Sequence, residues 1–109
     1  MHFIDTHLGL STADAESVAL QHDGSDLVLT FVDWQEQTIR HEFEEVLAFK
    51  WGQDTGGAPR DDQTYIVEGS EWLAHEAGLA EESPDRFVHY KLCFNAVGVL
   101  DVLARSSND

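Results

Sequence analysis

Apolar residues recur at every second position in two well-separated runs of this chain. Leu27, Leu29 and Phe31 share one face of an extended segment, with Val28, Thr30 and Val32 on the other. Val88, Tyr90, Leu92 and Phe94 alternate in the same way with His89, Lys91, Cys93 and Asn95. A period of two is the mark of a β-strand, because successive side chains point to opposite sides of the pleat. The first run has a partner upstream: from Glu16, Val18 and Leu20 alternate with Ala19 and Gln21, and Asp23-Gly24-Ser25 supplies a turn between them. The pair reads as a hairpin. Its second strand, with β-branched or apolar residues at six successive positions, is expected to be buried on both sides. Asp33 and Trp34 end it.

Between Gln37 and Trp51 two periods compete. Ile39, Phe43, Val46, Leu47 and Lys50 fit a helix, whereas Ile39, His41 and Phe43 alternate, as do Leu47, Phe49 and Trp51 after a break at Glu44-Glu45. Two strands are favoured, because Thr, Ile, Phe, Val and Trp suit a pleated surface and neither end carries a helix cap. Gly52 to Asp62, with Gly56-Gly57, Pro59 and three Asp, reads as a long exposed loop. Thr64 to Val67 is a short strand. Ser70 is a candidate N-cap for a helix from Glu71 to about Ala77, with Trp72, Leu73 and Ala77 as its apolar stripe and Gly78 as its stop. Asn95 to Gly98 can turn the chain, and Val99 to Leu103 returns as the last strand. The expected fold is therefore α+β, mainly an antiparallel β-meander sheet with one short helix inserted before a C-terminal β-hairpin. One domain spans residues 1–109, with 1–15 an irregular or edge segment and 105–109 a fraying tail.

Charge decides which partners such a domain can meet. Twenty-one Asp and Glu stand against six Lys and Arg, a formal net charge of −15 in 109 residues. That excess repels nucleic acid and anionic membranes and steers cations and basic proteins inward. With 42% apolar residues the chain has enough core to fold, so the acidity belongs to the surface of an ordered domain. A salt-adapted source would produce the same surface for solvation alone. Cys93 is the only cysteine, which excludes an intrachain disulfide. No stretch approaches about 18 apolar residues, and the opening residues lack a secretion signal, so a soluble, cytoplasmic protein is expected.

Motifs for catalysis are scarce. Phe3-Ile4-Asp5-Thr6-His7 is similar to the first strand of TatD-type metal-dependent hydrolases, but Gly9 stands where their second histidine belongs, and the barrel they use needs about 250 residues. His41 and Glu45 could share a metal only on a helix; on a strand they lie more than about 10 Å apart. No metal or cofactor is expected. Cys93 and His89 are four positions apart on one strand face, roughly 13 Å, and cannot touch. No nucleophile-elbow motif supports Ser-His-Asp chemistry, so no catalytic residues are assigned. His89, on the polar side of its strand, reads as an exposed lone histidine.

Recognition remains. Trp34, Trp51, Asp54, Asp61, Asp62 and Glu71 place aromatic rings beside carboxylates, a mixture that anchors a partner bearing Arg or Lys. Trp72 and His89 mark a second candidate, a pocket between sheet and helix. The segments Phe43 to Trp51, Ser70-Glu71-Trp72-Leu73, His89 to Asn95 and Val99-Leu100-Asp101-Val102 together resemble a class of small bacterial single-domain α+β proteins grouped with the immunity proteins of toxin systems. That resemblance implies a fold and no catalytic residues. Three readings follow: an acidic protein-binding module, of inhibitor or immunity type, facing a basic effector; a small-molecule binder or small enzyme using the pocket; or a self-associating domain, a homodimer joined at strand edges.

Overall fold

The computed structural model describes residues 2–5, 8, 10–95 and 97–105. Among these residues, eight strands and one α-helix follow in the order β1 (His2–Asp5), β2 (Glu16–His22), β3 (Leu27–Val32), β4 (Thr38–Phe43), β5 (Ala48–Gly52), β6 (Thr64–Glu68), α1 (Glu71–Leu79), β7 (Phe87–Phe94) and β8 (Gly98–Arg105). The α+β class, the antiparallel pairing, the short helix and the closing hairpin are as the alternation predicts, and residues 37–51 form two strands. The strands divide between two sheets: β2-β3-β4 is a meander, and β1-β6-β7-β8-β5 takes its edge strands from distant parts of the chain. Residues 1–15 thus contribute an edge strand, β1 lying antiparallel to β6. The tail beyond Arg105, like Thr6, His7 and Gly9 of the opening motif, lies outside the described residues.

The two sheets pack face to face. Leu27, Leu29 and Phe31 of β3 and Phe43 of β4 meet Tyr90, Leu92 and Phe94 of β7 and Leu100, Val102 and Ala104 of β8 in one buried cluster. Ring contacts tie the layers together, Phe31 to Phe94 edge-on at 5.2 Å and Phe43 to Tyr90 at 5.4 Å. The other face of β3 is only half-buried at Val28, Thr30 and Val32, not enclosed as its composition suggests. Among the described residues no helix or further sheet covers the outer side of the three-stranded sheet, and β-branched residues suit a half-covered pleat as well as a covered one.

The helix also ends later than expected. Gly78 lies inside α1, and the chain leaves through Glu81 in the left-handed region (φ 56°). Glu82 N–H donates to Ala77 O at 2.8 Å and Glu81 N–H to Gly78 O at 3.2 Å, the paired bonds of a Schellman ending. Glycine is favoured at that ending because it has no Cβ, but here glutamate occupies the position, so the glycine signal misplaced the stop by three residues.

The outer face of the five-stranded sheet is mixed: Tyr65, Cys93 and Val99 make a second, smaller buried cluster on it, with Phe3 and Ala58 packed against them, and a mostly polar row crosses it. In register across all five strands run Asp5, Tyr65, Lys91, Asp101 and Lys50, each the Cα partner of the next. The helix lies over one end of this face and the loop after β5 over the other.

Candidate functional site

Two places gather the chemistry-bearing residues. The first is the end of the sandwich at the β7–β8 turn. Trp34 sits on the β3–β4 turn, where the Asp33 carboxylate accepts the N–H groups of Gln35 at 3.0 Å and Gln37 at 2.9 Å and holds the indole outward, 58% exposed. Phe31, three residues earlier, packs on Phe94 at 5.2 Å, and Trp51 at the end of β5 also packs on Phe94, at 5.9 Å. Both tryptophans therefore reach the same end of the molecule, and Trp51 is 40% exposed.

The loop following Trp51 is built by its own side chains. Asp54 accepts Gly56 N–H at 2.8 Å, the consecutive glycines Gly56 and Gly57 take positive φ, and Gln53 donates to Val97 O at 3.0 Å. Asp54 and Asp61 are exposed. Asp62 is different: Arg60 meets both its oxygens at 2.9 and 3.0 Å, and that contact holds its carboxyl below the usual range. Its charge is already matched. Glu71 stands apart from this end, because α1 follows the far end of β6 and the length of that strand separates Glu71 from Asp61 and Asp62.

Trp51 owes its place to a glycine opposite. A Cβ built on Gly98 would fall 2.7 Å from Trp51 Cε2 and 3.0 Å from the backbone oxygen of Gly52, closer than packed atoms come. Gly98→Ala is expected to cost about 1–3 kcal/mol and to alter tryptophan emission as the indole is displaced. A melting temperature equal to wild type with unchanged emission would show that the indole does not depend on that gap.

The second place is under the helix on the outer sheet face. His89 is not the exposed histidine that its position on the polar side of the strand suggests; it is 6% exposed, because α1 covers that side. Its Nε2 lies 2.7 Å from Asp101 Oδ1 and its Nδ1 2.7 Å from Ser70 Oγ. Lys91 Nζ reaches Asp101 at 3.0 and 3.2 Å. Trp72 meets the His89 ring edge-on at 5.2 Å, and Lys50 Nζ stands 4.5 Å over the Trp72 ring, so the two residues expected at a helix–sheet pocket do meet. Burial pushes the Asp101 carboxyl up, but the bonds from His89 and Lys91 outweigh it and hold the group below its ordinary value. An ionised Asp101 can only accept, so Nε2 carries a proton; in the neutral imidazole Nδ1 is then the acceptor for the Ser70 hydroxyl. Ser70 Oγ in turn accepts Leu73 N–H at 3.1 Å as the N-cap of α1.

Sequence reasoning missed this chain of bonds because alternation does not show that the start of α1 lies over the β7–β8 hairpin, where Ser70 meets His89 and, through it, Asp101. One signal was available: Asp101 interrupts Val99-Leu100-Asp101-Val102-Leu103, and an acid centred in an apolar strand must find partners or go unpaired. Cys93 is fully buried, and burial pushes its thiol up, which argues against a nucleophile. Among the described residues no three His, Cys, Asp or Glu converge as metal ligands, and no helix is long and apolar enough to cross a membrane. No family model matches the chain, and no curated protein or solved structure matches it.

Proposed function

We propose that the protein is an acidic protein-binding module that docks a basic partner, in the manner of an inhibitor or immunity protein, through the end of the sandwich carrying Trp34 and Trp51. The observation that supports this reading is the exposure of two tryptophans at one end beside the exposed carboxylates of Asp54 and Asp61. The net charge of −15 draws a cationic surface in from a distance. The indoles then supply area that a partner can desolvate, the chemistry of an interface anchor, and the carboxylates at the rim pair with Arg or Lys. Turns fixed by Asp33 and Asp54 hold both elements before contact, which lowers the ordering cost of binding.

Affinity capture from lysate of the protein's own source, at low and high salt, checks the proposal. A basic partner is expected at low salt and lost at high salt. Trp34→Ala and Trp51→Ala are each expected to weaken binding of the captured partner by about 2 kcal/mol, roughly 30-fold. Charge reversal at Asp54 and Asp61 is expected to flatten the salt dependence; reversal at Asp62 adds less, since Arg60 already neutralises it. Empty capture at both salts, or affinity indifferent to both tryptophans, would remove the docking role from this end of the molecule.

A further inference from the structure

The bonds around His89 have an order that docking does not use. Ser70 Oγ, His89 and Asp101 form a line, hydroxyl to imidazole to carboxylate, each step 2.7 Å. Asp101 and His89 are buried, whereas Ser70 is half-exposed. Ser70 and His89 also line a cleft of about 470 Å³ with Leu73, Ala74, Phe87 and Val88. A nucleophile is recognised by such roles: a hydroxyl bonded to a base, the base oriented by a third group, and room for a substrate alongside.

We propose that this arrangement is a hydrolytic centre for small neutral carboxylic esters, an activity beyond the docking role. Ser70 Oγ adds to the ester carbonyl carbon as its proton passes to His89 Nδ1. The imidazolium, held through Nε2–H by Asp101, gives that proton to the departing alkoxide, leaving acyl-Ser70 and free alcohol. Water then adds to the acyl carbon with His89 again taking the proton, and Ser70 leaves with it, releasing the carboxylic acid. Atoms and charge balance with one water consumed. The first turn of α1 provides the N–H groups of Glu71 and Trp72, which have no carbonyl partner inside the helix and suit a developing oxyanion. Lys91, bonded to Asp101, is a positioning residue that keeps the carboxylate ionised and fixed. The cleft walls are mostly apolar, while Glu68 and Asp85 at the same cleft disfavour an anionic substrate. That limits the substrate to a short neutral ester.

A fluorophosphonate probe followed by peptide mapping tests the centre, with p-nitrophenyl acetate as the turnover substrate. The expected result is an adduct on Ser70 in the native protein and none in protein unfolded by urea. Ser70→Asn retains a capping side chain, so helix content by circular dichroism should persist while labelling and hydrolysis disappear. His89→Gln is expected to slow p-nitrophenyl acetate hydrolysis about 100-fold. No adduct on the native wild type, an adduct that persists in urea, or labelling indifferent to His89→Gln in a folded variant would each overturn the proposal and leave the three residues as the anchorage of the helix.

Discussion

Asp101→Ala is expected to remove about 3–5 kcal/mol of folding stability, because it strands Lys91 as an uncompensated buried charge. The lysine side chain is 8% exposed and the carboxylate 5%, so water cannot replace the lost partner cheaply. In a domain of this size the loss corresponds to a fall in melting temperature of roughly 10–30 °C. Asp101→Asn separates the causes: it keeps an acceptor for His89 and removes only the charge. Adding Lys91→Met to that variant is expected to restore most of the stability, since the unpaired cation is then gone. If the double variant melts no higher than Asp101→Asn, the buried charge is not the source of the cost. The acid response follows from the same pair. Because the Asp101 carboxyl titrates below its ordinary value, its contribution is complete above about pH 4, the range of an unfolded carboxylate, and is lost as pH falls through the lower folded value. The stability difference between wild type and Asp101→Asn should therefore shrink below about pH 4.

Phe94→Ala carries the second large effect, about 3–5 kcal/mol, from a ring that is 1% exposed and cannot be replaced by collapse of a loop. The ring contacts both Phe31 on the facing sheet and Trp51 at the end of β5. Its loss opens a cavity between layers and also frees the Trp51 indole. Denaturant unfolding measures the first consequence and tryptophan emission the second. A double cycle with Phe31→Ala should return a coupling of about 0.5–1.5 kcal/mol for the edge-on pair. Strict additivity would mean the two rings act as independent core fillers.

The strands could be read from the sequence because alternation reports the pleat directly. Leu27, Leu29 and Phe31, and Tyr90, Leu92 and Phe94, are the rows that meet in the core. Alternation does not say which strands pair or what covers the second face. The same period that placed Tyr90 inward placed His89 outward, correctly, yet outward here means under α1 and not in water. In the same way, the composition of β3, apolar on both sides, predicts an enclosed strand, and only the arrangement of sheets shows that one side is half-open. The tryptophans at strand ends were legible as surface candidates. Joining Trp34 to Trp51 required the Phe31–Phe94 contact, and joining Ser70 to Asp101 required a helix laid on a strand pair.

The split into two sheets also sets an order of events during synthesis. The meander β2-β3-β4 pairs neighbours in sequence, so its loops close at little entropic cost as soon as the segment is available. The first strand has no such neighbour: His2 lies opposite Glu68, and β6 finds its other partner only when β7 is made. A chain emerging from the ribosome therefore carries β1 unpaired past the completed meander. The Ser70–His89–Asp101 line can assemble only after β8 has been added, long after the meander has closed.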